Sequence, residues 1–428
     1  MPKTVYALVD GNSFFASCER VFRPDLWNTP VIVLSNNDGN VVARSQEAKQ
    51  LGIRMGQPFF EVRDLCHEKG VAVFSSNYEL YGDLSGRMMT TIASLVPRIE
   101  PYSIDECFAD LSGLEDTHPD LTALASSIRS RVYQWVGIPT CVGVAPNKTL
   151  AKYCNHLAKK FPALHGVCNW FDLSEERRIK ALACMPISEV WGVGSRYGKR
   201  LNAMNIYSAL DLARCDASYI RRKFNVVLAQ TVLELQGQNC LELEPETASR
   251  KNILRSRGFG NKVVAKETLL GSLITHAMEV AKTLRKEKSA ASVIGIILDT
   301  SYFVASEKQY HAFPAMGLPY PCCDDRTIIA AVKALLEQHY RPGFLYHRAG
   351  VYAGEISAQS AVVPDLFVPE NKQINEKISH IIDSINTRYG RGTVLFAGAL
   401  VGRDLWQMKR EFLSPAYTTC IADFPKVA

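Results

Sequence analysis

The order of segments in this chain predicts a multidomain α/β protein, and three observations carry that prediction. From residue 4 to about 162, strand-like apolar runs alternate with stretches of helical periodicity. From about 173 to 240, apolar residues recur only at helical spacing, and from 252 to 355 the order is strand, helix, two strands, helix, strand. At 428 residues the chain has length for roughly three domains, each able to bury a core.

The first region reads as strand 5–9, helix 12–22, strand 31–35, helix 44–51, strand 71–75 and helix 78–95. Two β-rich pieces follow, near 98–103 and 106–111, then helix 120–136, strand 140–145 and helix 147–160. Asn12 is a helix-cap residue, so Asp10 falls at the C-terminal edge of a strand, where sheet-borne sites cluster. Pro24, Pro30, Gly52, Gly56, Pro58 and Gly70 break the stretch from 23 to 77 into short elements, which reads as an inserted subdomain able to act as a lid.

In the second region, Leu182, Val190, Leu201, Leu212 and Ile220 mark a helical domain. The acidic, proline-containing stretch 242–246 reads as a linker. After it come strand 252–260, helix 268–286, strands 292–299 and 309–314, helix 324–340 and strand 348–355. One more helical stretch spans about 371–389, and the remaining tail lacks periodicity and is expected to dock on a surface.

Composition excludes several classes. The chain is 47% hydrophobic, yet no apolar run reaches the roughly 18 residues of a membrane-spanning helix. Met1-Pro2-Lys3-Thr4 leads straight into a strand, so no signal peptide and a cytoplasmic location are expected. None of the 12 cysteines shows zinc-type Cys-x2-Cys spacing, and they read as reduced core residues. The net charge of +6 is mild, but Arg196, Lys199, Arg200, Arg214, Arg221, Arg222 and Lys223 concentrate basicity where only Asp211 and Asp216 oppose it. That favours a surface facing a polyanion.

Tyr102-Ser103-Ile104-Asp105-Glu106 sets two adjacent carboxylates after a β-prone stretch, and Asp10 ends the apolar run from Val5. Hard divalent cations take oxygen ligands, and a pair of them can activate an attacking oxygen while stabilising a leaving one, so three such acids point to magnesium and phosphoryl transfer. Neighbouring side chains on a regular strand point to opposite faces. Both acids can therefore serve one metal pair only if the chain bends at 103–106, as a hairpin tip or a bulge.

Arg44, Lys49, Lys148, Lys152, Lys159 and Lys160 fall on segments expected to face the acidic edge, and Lys148 and Lys152 share a helix face at i and i+4. They read either as a solvated face or as cations that neutralise a triphosphate. Val190-Trp191-Gly192-Val193-Gly194, followed by Arg196, Lys199 and Arg200, reads either as an ordinary helix-helix turn or as a backbone nest for phosphate.

These motifs together resemble the Y-family translesion DNA polymerases, most nearly the UmuC-like branch that includes the catalytic subunit of bacterial DNA polymerase V. The motifs are Asp10 with Phe14-Phe15, Tyr102 to Glu106, Asn147-Lys148-Thr149-Leu150-Ala151-Lys152 and the glycine hairpin. Ser75-Ser76-Asn77-Tyr78-Glu79-Leu80-Tyr81, Arg391-Gly392-Thr393 and Trp406 to Arg410 through Ser414-Pro415 extend the resemblance over nearly the whole chain.

The resemblance implies a right-hand polymerase: palm at 1–22 and 78–170, small inserted fingers at 23–77, helix-hairpin-helix thumb at 171–240, βαββαβ little finger at 248–356 and a C-terminal partner-binding region at 357–428. It implies that Asp10, Asp105 and Glu106, with the carbonyl of Gly11, hold two Mg2+ ions. Phe15 matches the steric gate against a ribose 2′-hydroxyl, and Lys49 and Lys159 match triphosphate contacts. Gly192, Gly194, Arg196 and Lys199, and Arg255 and Arg257 on the little finger's first strand, are implied to hold DNA through its phosphates.

Substrates implied are primed template DNA and dNTPs. Implied partners are a UmuD-like dimer, a RecA-type recombinase filament and a sliding clamp, the last at Leu366 and Phe367. Small fingers and the lack of an exonuclease segment imply error-prone lesion bypass in the SOS response.

Three features depart from the family pattern. The gate is Phe15 where branch members often carry tyrosine, Gln46 stands where other members carry a triphosphate-contacting tyrosine, and the clamp peptide Val363-Pro364-Asp365-Leu366-Phe367 lacks its leading glutamine. The competing readings are a catalytically silent DNA-binding scaffold and a nucleotidyl cyclase on a similar palm. The scaffold leaves the three acids, Phe15 and the two lysines without a purpose, and the thumb and little-finger regions disfavour the cyclase.

Overall fold

The structure, a computed structural model, describes residues 4–114, 117–244, 250–304, 306–362, 372–390 and 392–424. Leu366 and Phe367, the expected clamp contacts, lie outside the described residues. The chain divides into two compact units. The first comprises Met1–Ser35, Gly39–Ala248 and Phe412–Ala428, and the second Asn36–Asp38 and Ser249–Glu411.

In the first unit β1 (Tyr6–Gly11) runs into α1 (Phe14–Val21). The inserted region holds β2 (Val31–Leu34), β3 (Val41–Arg44), α2 (Gln46–Gln50), α3 (Phe59–Glu68) and β4 (Ala72–Ser75). Its three strands form their own sheet in the order β3-β2-β4 around a separate small core that includes Ile32, Leu34, Ile53 and Val62. The helix expected over 44–51 starts two residues late, because Arg44 is still in β3 and Ser45 caps α2 by accepting from the Ala48 N–H. Strand β3 and helix α3 were not expected, since glycine and proline around them masked short periodic runs.

The chain continues through α4 (Tyr78–Ala93), β5 (Arg98–Pro101), β6 (Glu106–Asp110), α5 (Leu121–Val136), β7 (Thr140–Ala145), α6 (Lys148–Lys160) and β8 (Val167–Asn169). The main sheet has the order β5-β6-β1-β7-β8, which puts β1 at its centre. The four-residue run Tyr6 to Val9 is fully buried for that reason. A helical subdomain follows: α7 (Glu175–Cys184), α8 (Ser195–Asn202), α9 (Ala209–Ala213), α10 (Ala217–Lys223) and α11 (Val226–Leu235). It is helical throughout, as the spacing predicts, and its apolar residues share one core with α6.

The second unit holds β9 (Ile253–Val263), α12 (Lys266–Lys286), β10 (Ser289–Thr300), β11 (His311–Ala312), β12 (Ala315–Cys322), α13 (Asp325–His339) and β13 (Tyr346–Ala358). Here β11 and β12 both pair with β10, so the single strand expected at 309–314 is a two-part strand broken near Phe313-Pro314, and the βαββαβ order stands. Helix α14 (Lys372–Tyr389) packs beside α13, where Asp383 takes a bidentate hold of Arg285 at 2.6 and 3.0 Å. The short α15 (Arg403–Trp406) lies against β9. The tail thus docks on its own chain: residues up to 411 belong to the second unit and those from 412 to the first.

All 12 cysteines are free, and Cys184 and Cys420 are exposed rather than in the core. Among the described residues no helix is long and apolar enough to cross a membrane.

Candidate active site

Strand β1 sets the site. Asp10 lies in direct register with Glu106 of β6 on one side and Cys141 of β7 on the other, so Asp10 and Glu106 share a sheet face as cross-strand neighbours. Residues 102–105 form the tip between β5 and β6, closed by hydrogen bonds from the Tyr102 and Ser103 N–H groups to the Glu106 carbonyl at 2.9 and 3.1 Å. The expected bend is therefore present, and it separates the adjacent acids. Glu106 begins the strand, while Asp105 sits in the tip with its carboxylate accepting from Ser103 Oγ at 2.6 Å.

Gly11 holds the tip to β1. Its N–H donates to the Asp105 carbonyl at 2.8 Å, and an added Cβ would stand 2.8 Å from Phe14 and 3.6 Å from Asp105 Cβ. A side chain there would push the three acids apart.

Helix α6 brings cations to the acids. It lies so close to β7 that a Cβ on Gly143 would meet the Ala151 carbonyl oxygen and the Asn155 nitrogen at 2.2 Å. Asn155 Nδ2 donates to the carbonyls of Leu8 and Cys141 at 3.2 and 2.7 Å, which locks the helix to the sheet. From this helix Lys159 Nζ reaches Asp10 Oδ2 at 2.6 Å, Lys152 Nζ reaches both oxygens of Glu106 at 2.9 and 3.0 Å, and Lys148 pairs with Glu100. Lys148 and Lys152 are thus turned onto the sheet, Lys159 reaches Asp10 while staying exposed, and Lys160 faces solvent.

Burial pushes the Asp10 carboxyl up to about 6; Lys159 opposes that rise, and Glu106 and Asp105 add to it. The donors gathered here are all carboxylate or carbonyl oxygens, the set that hard divalent cations take. Among the described residues no group of three or more acids, histidines or cysteines is gathered closely enough to hold a metal ion, and Asp10 and Glu106 are each paired with a lysine.

Phe15, on the first turn of α1, stacks face to face on Tyr81 with centroids 4.5 Å apart and planes at 15°, and its edge meets Tyr78. Lys49 Nζ lies 3.4 Å from Ser13 Oγ, and burial, then Arg44 and Lys159, hold its pKa below the usual lysine value. Arg44 instead donates to the Ile53 carbonyl and so serves the inserted region's own structure.

The glycine hairpin also reaches the site. Trp191 Nε1 donates to Tyr102 Oη at 3.2 Å, and the Lys152 ammonium lies 4.6 Å from the Tyr102 ring centroid and 5.5 Å from that of Trp191. Sequence reasoning missed this aromatic box because Trp191 and Tyr102 stand far apart in the chain. Gly192 takes φ +85°, and Gly194 opens α8, where Arg196, Lys199 and Arg200 are exposed and Arg196 and Arg200 line a cleft of about 530 Å³. Buried Glu234 ties the helical subdomain to α6: it accepts from Thr149 N–H and Oγ1 at 3.0 and 2.6 Å and from the Cys240 and Leu241 N–H groups, each at 3.1 Å.

In the second unit, Arg255 and Arg257 share a face of β9 with buried Ile253 and Phe259, the face that α12 covers. Arg255 donates to Thr283 of that helix at 3.2 Å. The uncovered face carries Leu254, Ser256 and Gly258 opposite Tyr352, Gly350 and Arg348 of β13. The two arginines therefore belong to the helix side of an edge strand.

Comparisons with known proteins show the family of the chain. Residues 9–156 match the impB/mucB/samB family, residues 250–366 the C-terminal domain of that family, and residues 376–427 a domain of unknown function, DUF4113. The chain is 43% identical to Protein UmuC of Salmonella typhimurium strain LT2 over 99% of this chain and 100% of that protein. It is 40% identical to Protein MucB of Escherichia coli over 97% of each, and 28% identical to DNA polymerase IV of Pelotomaculum thermopropionicum over 92% of this chain and 94% of that one. Among solved structures, a Y-family DNA polymerase chimera of Dbh and Dpo4 shares the fold with a TM-score of 0.63 at 21% identity, covering 82% of this chain and 99% of that chain. Y-family polymerases act on DNA and dNTPs and use divalent metal ions. The two family-model matches and the full-length relatives at 40–43% identity place the chain in the impB/mucB/samB family, the UmuC-like branch of the Y-family DNA polymerases.

Proposed function

We propose that this chain adds dNTPs to a primer 3′ end past template lesions, as an error-prone translesion polymerase of the DNA damage (SOS) response, with Asp10, Asp105 and Glu106 as its catalytic acids. The observation that carries the site assignment is the register of Asp10 with Glu106, with Asp105 held at the adjoining tip by Gly11. We assign 1–22 and 78–170 to the palm, 23–77 to the fingers, 171–240 to the thumb, 248–356 to the little finger and 357–428 to a partner-binding tail.

Asp10, Asp105, Glu106 and the Gly11 carbonyl would hold two Mg2+ ions, which would supply Lewis acidity to the attacking 3′-oxygen and the leaving pyrophosphate. The protein does the rest by position and charge. Lys159 and Lys49 neutralise the triphosphate once the acids have their cations, and the short reach from Lys159 to Asp10 supports that exchange. Phe15 stands as a rigid wall against the sugar, and its stacking on Tyr81 keeps the ring from turning away. Lys152 and the Trp191–Tyr102 pair steady Glu106 at the palm side of the hairpin.

Backbone N–H groups at Gly192 and Gly194, with Arg196 and Lys199, hold duplex phosphates without reading sequence. Arg255 and Arg257, on the helix side of β9, reach phosphates only along that strand's edge. The partners proposed are a UmuD-like dimer, a RecA-type filament and a sliding clamp, the last through Leu366 and Phe367, and the working compartment proposed is the cytoplasm.

The test is primer extension by the Asp105→Ala, Glu106→Ala double variant on lesion-containing and undamaged templates. Extension is expected to vanish while DNA binding is retained. Extension at a near wild-type rate would reject the acids' assignment.

A further inference from the structure

One line of contacts in the first unit joins the C-terminal segment to the ring beside the active site. Residues 412–417 lie across the junction of the inserted region with α1 and α4, touching Phe59, Ser75 and Asn77 on one side and Glu19 and Phe22 on the other. The Phe412 N–H donates to Ser75 Oγ and the Ser75 N–H to the Phe412 carbonyl, both at 3.0 Å. Tyr417 stacks on Phe22 with centroids 4.8 Å apart, and Phe412 meets Phe59 edge-on.

Between these aromatic anchors Ser414 is buried. Asn77 Nδ2 donates to Ser414 Oγ at 3.0 Å, and that hydroxyl donates to Glu19 Oε1 at 3.2 Å across a separation of 395 residues. The same Glu19 oxygen accepts from Tyr81 Oη at 2.6 Å. Tyr81 is fully buried, and its ring forms the floor on which Phe15 stacks.

This arrangement has a mechanical consequence. Phe15 is only partly buried, and one of its faces rests on Tyr81. A ring excludes a 2′-hydroxyl only as well as the ring behind it resists displacement, and Tyr81 is fixed at its far end by one acceptor, Glu19 Oε1. Glu19 Oε2 has no hydrogen-bond partner among the described residues, so the carboxyl is oriented entirely through the oxygen that Ser414 and Tyr81 share. Burial also pushes the Glu19 carboxyl up to about 7, which agrees with a group held by neutral hydroxyls in a dry setting.

We propose that residues 412–417 are a positioning strap for the sugar gate: Ser414 and Glu19 fix Tyr81, Tyr81 backs Phe15, and the docked tail thereby sets discrimination between deoxyribo- and ribonucleotides. The inference rests on the reading of Phe15 as the gate. Ser414, Glu19 and Tyr81 touch neither substrate nor acids and act only through Phe15.

The test is single-nucleotide insertion by the full-length chain, with kcat/KM measured separately for a dNTP and the matching ribonucleotide. Ser414→Ala is expected to raise the ribo-to-deoxy ratio about three- to tenfold, the range one lost buried hydrogen bond supplies, with dNTP kcat/KM kept within about twofold. Tyr81→Phe is expected to raise the ratio similarly, the double variant no further than the larger single, and Ser414→Thr is expected to restore it. A strap that only stabilises the fold would lower Tm and both kcat/KM values together and leave the ratio unmoved, which overturns the proposal, as do single effects that multiply in the double variant. Phe15→Ala separates the two claims. If it leaves the ratio unchanged, the gate reading fails and the strap with it; if it relaxes selection while the strap variants do not, only the strap fails.

Discussion

Lys159 Nζ sits 2.6 Å from Asp10 Oδ2, so the cation expected to face a triphosphate is already in contact with the acid expected to hold metal. Asp10 is 7% exposed, and two more carboxylates stand nearby, so without a counter-charge its ionised form is costly. The lysine answers that cost in the free protein, and under the proposed function divalent cations bound to the acids would release it.

Lys159→Ala is therefore expected to lower kcat/KM for dNTP insertion by about 100-fold, the scale for deleting one charge-stabilising group at a phosphoryl centre, while DNA affinity holds. Lys159→Arg is expected to recover part of the loss. Steady-state insertion kinetics check this, and a loss smaller than about threefold would remove Lys159 from the nucleotide site.

Gly143 decides how close α6 comes to the sheet. Its added Cβ would stand 2.2 Å from backbone atoms of Ala151 and Asn155, and backbone cannot swing aside as a side-chain tip can. Gly143→Ala is expected to cost about 3 kcal/mol or more of stability, at the upper end of overpacking, and to reduce insertion because Lys152 and Lys159 move with the helix. Denaturant unfolding and primer extension read the two effects. A variant of wild-type stability would show that the helix can lift without consequence.

Glu19 gives the fold a pH dependence with a definite sign. Its folded pKa is raised from 4.5 to about 7, chiefly by burial, so folding favours the protonated form. The associated stability is fully present below 4.5 and is lost as pH rises through about 7. Glu19→Gln is expected to flatten that part of the profile and to be the more stable protein at pH 8 relative to its own pH 5 value, by at most about 3 kcal/mol. Thermal unfolding of both proteins across this range checks it, and parallel profiles would contradict it.

Much of this was legible along the chain. Strand 140–145 and the helix before it fall almost where periodicity puts them, and the tip at Ser103 to Glu106 follows from two neighbouring acids needing one site. Short elements escaped: β3 and α3 lie between glycines and prolines, and β8 has only three residues, too few for a period to show. Arg255 and Arg257 read as phosphate contacts on a strand, but which face of β9 meets α12 depends on the sheet's packing.

The sequence by itself determined the element types, the acidic strand end and the family, because each rests on local periodicity or contiguous motifs. Tertiary structure alone decided that Lys159 meets Asp10 and Lys152 meets Glu106, that Trp191 closes on Tyr102, and that Ser414 reaches Glu19. Those pairings join residues far apart in the chain. They depend on helix–sheet distances set by single small residues such as Gly143 and on where the tail finds buried hydrogen-bond partners, and neither leaves a local pattern.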